Sequence, residues 1–100
     1  TLAFCTDTGY CENAVKLADR SDLLITECSH VSGQEDSAWP HLNPESAARI
    51  AREAGAKKLF LTHFDAFRYA SLEDRAAAER AARNIFSESY ASYDLMKLHL

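Results

Sequence analysis

The chain has 100 residues, 47% of them apolar and 26% charged, with a formal net charge of −4. That balance excludes a disordered chain and fits one globular domain with a modest core, burying roughly 60 to 65% of its unfolded surface. The acidic total provides no field that would draw the chain onto nucleic acid or anionic lipid, so a nucleic-acid partner stays open and a membrane partner is not expected.

No apolar run approaches the roughly 20 residues of a membrane span, and the expectation is a soluble, cytoplasmic protein. Cys5, Cys11 and Cys28 are odd in number and lack C-x-x-C spacing. Reduced, mostly buried thiols are expected, without a disulfide framework. The sequence opens at Thr1 inside an apolar run, which reads as a piece of something longer.

Leu2 to Thr6 predicts a short apolar strand, closed by the turn residues Asp7, Thr8 and Gly9. A helix follows, with Ala14, Leu17 and Ala18 on its inner face. Asp22 to Glu27 contains Leu23, Leu24 and Ile25, an apolar run short enough to be a buried strand. Cys28 to Leu42 has no periodicity and is long for a bare connection, so it reads as a functional loop.

Asn43 is a good helix N-cap and Pro44 suits the first helical position. Ala47, Ile50, Ala51 and Ala54 then recur at helical spacing until Gly55 supplies the stop. Lys58 to Thr62 predicts a third strand that ends in polar residues. Ser71 with Asp74 forms a capping-box signature, and Ala78, Ala81, Ala82 and Ile85 form the inner stripe of a last helix. A closing strand is expected over Asp94 to Leu100. The order β-α-β-α-β-α-β predicts an α/β fold with helices packed on one sheet.

In such sheets ligands gather at the carboxyl ends of the strands, where Asp7, Glu27 and His63 are expected. Two readings stand at this point. The three groups can converge on a metal or a water, since carboxylates and imidazoles are standard ligands of zinc and similar ions. Alternatively Asp7 caps the helix that follows it, Glu27 faces solvent, and His63 bonds a backbone carbonyl.

Four ordered blocks bear on that choice: T-D-T-G at Thr6 to Gly9, L-L-I-T-E-C-S at Leu23 to Ser29, H-L-N-P-E-S-A-A at His41 to Ala48, and L-T-H-F at Leu61 to Phe64. Together they resemble the metallo-β-lactamase superfamily, whose pattern runs G-D-T, then an L-I-x-E-A strand, then G-H-x-T-x-x-E-A-A, then L-T-H-F. The Glu and His pair resembles the ribonuclease Z branch. The resemblance implies that residues 1–100 are the C-terminal half of a metallo-β-lactamase-like domain, itself half of a four-layer αββα sandwich. It implies an enzyme, a phosphodiesterase-like hydrolase working through two divalent metal ions, zinc or manganese, and a hydroxide that bridges them.

Carried over by the resemblance, Asp7 would bridge the two ions and His63 would bind one of them. His41 would serve the scissile group as transition-state stabiliser or acid, and Glu27 would hold the His41 imidazole. The division suits the donors, because a carboxylate has two oxygens to span cations about 3.5 to 4 Å apart and an imidazole offers one lone pair. A carboxylate beside His41 would favour its protonated form.

Several positions depart from the family pattern. Thr6 replaces a glycine, Pro40 precedes His41 where the family has glycine, and F-D-A-F-R-Y is longer than the usual F-S-x-R-Y. Arg68 is therefore carried as a substrate-phosphate contact or a packing residue, and Tyr69 with it. Asp65 is a candidate partner for a ligand N–H. His30 reads as an exposed loop residue, His99 as a structural one, and Trp39 as a loop aromatic folded on the core.

The family's H-x-H-x-D-H motif is absent from these residues. Asp7 and His63 alone fall short of the three protein ligands usual for zinc, so weak metal binding and no activity are expected of this chain by itself. Its expected partners are a phosphodiester or ester substrate and the missing N-terminal half; an uncovered sheet face would otherwise favour a homodimer. The alternative from another class is a non-catalytic α/β binding or interaction module.

Overall fold

The computed structural model describes residues 1–5, 11–28, 42–64 and 72–92, with His63, Phe64 and Leu72 represented by their backbone. Its elements run β1 (Leu2–Cys5), α1 (Glu12–Leu17), β2 (Leu23–Cys28), α2 (Pro44–Ala54), β3 (Leu59–Phe64), α3 (Leu72–Arg83) and β4 (Ser89–Ala91). The strands form one parallel sheet in the order β1-β2-β3-β4. Successive parallel strands laid down in one direction, with crossovers of one hand, carry their helices on the same face.

The register shows which residues share that face. Ala3 and Cys5 stand beside Leu24 and Thr26, and these beside Leu59 and Leu61. All six are buried, and all but Thr26 join Ala14, Ala18, Ile50, Ala51, Ala78 and Ala82 in one apolar core. The helix side of this core is built largely of alanine, which lets the helices approach the sheet closely. On the other face stand Leu2, Phe4, Ile25, Phe60 and Tyr90. Leu2 and Phe4 are 62% and 55% exposed there.

α2 is the best-defined helix and follows its sequence signals. Asn43 Oδ1 accepts from the Ser46 N–H at 2.7 Å while Ser46 Oγ accepts from the Asn43 N–H at 2.9 Å, a reciprocal capping box. Gly55 ends the helix at φ 71°, in the left-handed region where a side chain is disfavoured. Ala47, Ile50, Ala51 and Ala54 are buried as expected.

Four expectations change. Leu17 is 62% exposed, and α1 instead turns Ala14 and Ala18 inward, flanked by Cys11 and Val15, a face at i, i+3, i+4 and i+7 from Cys11. β3 runs past Thr62 to Phe64, so His63 lies within the strand. A strand the sequence reading missed, β4, occupies Ser89–Ala91. Ala81 is half-buried beside the buried Ala78 and Ala82. The expected closing strand at 94–100, the 29–41 part of the loop and Ser71 lie outside the described residues.

Cys5 and Cys28 are buried and Cys11 is half-buried, all three outside any disulfide, as anticipated. Burial, then the neighbouring Cys11, pushes the Cys5 thiol above its ordinary value. No helix among the described residues is long and apolar enough to cross a membrane.

Candidate active site

Because all four strands run the same way, their carboxyl ends form one edge, and the connection from β2 delivers the N-terminus of α2 to that edge. The register aligns Cys5 with Thr26, then Glu27 with Thr62. Asp7 follows Cys5 by two residues and lies outside the described residues, as do His41 and Arg68.

Glu27 is wholly buried, which overturns the reading in which it faces solvent. Its Oε1 accepts a hydrogen bond from the Leu42 N–H at 3.1 Å. A buried carboxylate is costly unless paired, and a charge-assisted bond from a backbone N–H is one way to offset that cost. The bond also fixes the chain at the residue after His41, one step before the Asn43 cap of α2. The end of β2 and the start of α2 are thereby tied together by a side chain and a capping box in series.

The second feature is a break in the β2–β3 ladder. Glu27 pairs with Thr62, but Cys28 pairs with Phe64, so His63 is an extra residue with no partner on β2. This is a β-bulge, a device that bends a strand end, re-aims a side chain and recurs next to active sites. Sequence reasoning placed His63 at a strand end but could not foresee the bulge, since no residue type in L-T-H-F demands one. Leu42 was also missed as Glu27's partner, because a backbone N–H leaves no mark in a sequence.

Among the described residues, no three of His, Cys, Asp and Glu gather as a metal-binding group. Of the two expected ligands, His63 has its backbone in β3 and Asp7 lies outside the described residues. β1 and β3 flank β2, so their backbones are two strand spacings apart, about 10 Å.

The β-lactamase superfamily domain family matches residues 1–64. A ribonuclease Z from a Cyanothece species is 43% identical over 103 residues, covering 99% of this chain and 32% of that protein. A ribonuclease Z from Exiguobacterium sibiricum is 42% identical, covering 93% of this chain and 31% of its own length. The chain thus spans about a third of the curated relatives it matches.

Among solved structures, the metallo-β-lactamase fold protein YhfI from Bacillus subtilis superposes with a TM-score of 0.76 at 29% identity, covering 90% of this chain and 35% of that one. Human tRNase Z, short form, superposes with a TM-score of 0.57 at 29% identity, covering 88% and 30%. The parallel sheet with its helices, the match over residues 1–64 and these relatives agree: the chain belongs to the β-lactamase superfamily, has the metallo-β-lactamase fold, and is similar to ribonuclease Z within it.

Proposed function

We propose that residues 1–100 are the C-terminal half of a metal-dependent phosphodiesterase domain that cleaves RNA in the manner of its ribonuclease Z relatives. The observation that carries this reading is the Glu27–Leu42 bond beside His41, set at the same strand edge as the bulge that singles out His63. A purely structural edge has no need of a buried acid gripping a helix start next to a strand end whose register shifts at His63.

In this account Asp7 and His63 are metal ligands, and two divalent ions, zinc or manganese, would supply the activated water when bound. His41 faces the leaving oxygen and donates a proton to it. Glu27 is a positioning residue: it fixes the backbone that carries His41 and, through its carboxylate, favours the protonated imidazole. Arg68 binds a substrate phosphate. The remaining ligands come from the missing N-terminal half, so this chain alone is inactive and binds metal weakly.

The exposed Leu2 and Phe4 belong to the surface which that half covers. Without it, the isolated chain pairs as a homodimer, which sedimentation would read as twice the chain mass. A single sharp monomer boundary would remove that part of the account.

The direct test is a chimera in which residues 1–100 replace the matched third of the Cyanothece ribonuclease Z. It should hydrolyse bis(p-nitrophenyl) phosphate with added zinc or manganese and lose that activity on Asp7→Ala or His63→Ala. A folded chimera that keeps its turnover after both substitutions would contradict the ligand assignment. Chelator-sensitive turnover by residues 1–100 alone would contradict the inactive-half reading.

A further inference from the structure

β4 ends the sheet order, and its backbone groups divide between two sides. In a parallel pair, alternate residues direct their N–H and C=O groups to the neighbouring strand. Glu88 and Ser92 do so toward β3. The Leu59 N–H donates to the Glu88 carbonyl at 2.8 Å, and the Ser92 N–H donates to the Leu61 carbonyl at 2.9 Å. Ser89 and Ala91, one residue out of phase, therefore turn their polar groups away from the sheet. Such outward groups are the template on which another strand adds.

In this chain two of those groups, the Ser89 carbonyl and the Ala91 N–H, are already taken. Arg83 Nε donates to the Ser89 carbonyl at 2.8 Å, and the Ala91 N–H donates to Glu79 Oε1 at 3.1 Å. Glu79 and Arg83 stand four apart on α3, with Arg83 Nη2 3.5 Å from the same Oε1. The Arg83 guanidinium also lies 5.0 Å from the centre of the Tyr90 ring, whose face holds it over the strand. A cation meets the outward carbonyl and an anion meets the outward N–H, both from neighbouring turns of one helix. A mere surface ion pair has no reason to match the donor and acceptor order of a strand edge.

We propose that Glu79 and Arg83 act as an edge lock, occupying the outward Ser89 carbonyl and Ala91 N–H so that no further strand, from a second copy of this chain or from another protein, adds at β4. Among the described residues, the opposite end of the sheet is β1. The lock is independent of the hydrolase reading, because no residue of the proposed active site takes part.

Amide hydrogen exchange followed by NMR tests the contact itself. In Glu79→Ala, the Ala91 amide should exchange faster by several-fold to about tenfold, the loss of one hydrogen bond. The Ser92 amide, bonded to Leu61 within the sheet, should keep its rate. Sedimentation velocity over a concentration series then tests the consequence. Glu79→Ala/Arg83→Ala should form species larger than the parent's, while Glu73→Ala/Arg80→Ala, with the same charge change on exposed positions of α3, should match the parent.

Unchanged Ala91 exchange would overturn the lock, as would a folded Glu79→Ala/Arg83→Ala variant that sediments like the parent. Should the double variant fail to fold, Glu79→Gln/Arg83→Lys, which keeps an acceptor and a donor, must retain the parent's sedimentation, and the Glu79→Ala exchange result decides.

Discussion

Glu27 and Leu42 are fifteen residues apart in the chain and are joined by a buried 3.1 Å hydrogen bond from the Leu42 N–H to the Glu27 carboxylate. The bond brings the end of the second strand to the start of the second helix, with His41 immediately beside the junction. Its energetic weight lies in what happens when it is broken, since a buried N–H left without an acceptor loses its hydration and gains nothing.

Glu27→Leu should therefore destabilise the chain by about 1 to 3 kcal/mol, read as a lower urea midpoint at unchanged slope. Glu27→Gln keeps an acceptor of the same shape and should lose under about 1 kcal/mol. A Leu variant as stable as the parent would show that the bond carries no structural load.

The ends of α2 provide a second, independent measurement. Asn43→Ala removes one half of the capping box and should cost about 1 kcal/mol. Gly55→Ala places a Cβ at φ 71° with no atom within 4 Å of it, so its cost is conformational alone, about 1 to 2 kcal/mol. The two sites lie at opposite ends of the helix and their effects should add; a double variant departing from the sum by more than about 0.5 kcal/mol would point to coupling not seen here.

These two sites also show where sequence was sufficient. The α2 signals are local: a cap, a proline, a period and a glycine each act within a few residues, and the structure reproduces all four. β4 is the opposite case. Ser89, Tyr90 and Ala91 make a polar, unremarkable triplet whose strand state rests on Leu59, Leu61, Glu79 and Arg83, all distant or on another element. Leu17 was misassigned because α1 is barely two turns long, too short for its period to fix a face. The candidate site was legible in part: the position of Glu27 at the end of β2 followed from the element order, whereas the bulge at His63 and the Leu42 contact arise only when strands and helix are assembled.

Acid should act at Asp22 in residues 1–100 prepared as an isolated chain, in which Thr1 carries a free ammonium. The N-terminal ammonium of Thr1, and then the Lys57 ammonium at 3.0 Å, hold its carboxyl down to about 2 from an ordinary 3.8. A depressed carboxylate favours the folded state above its unfolded value, and that contribution fades as pH falls from about 4 to about 2. Acetylating the Thr1 amine should raise the Asp22 value more than Lys57→Met does, which NMR titration of the carboxyl carbon would read. Equal values in parent and both modified forms would remove these contacts as the cause.

The central claim is that Asp7 and His63 share one metal centre at the carboxyl edge of the sheet. A crystal structure of the ribonuclease Z chimera grown with zinc, with anomalous data at the zinc edge, tests it most directly. The account predicts anomalous density bonded to an Asp7 oxygen and, within about 4 Å, an ion held by the His63 imidazole. Zinc bound elsewhere, or Asp7 and His63 pointing to different faces of the molecule, would contradict it.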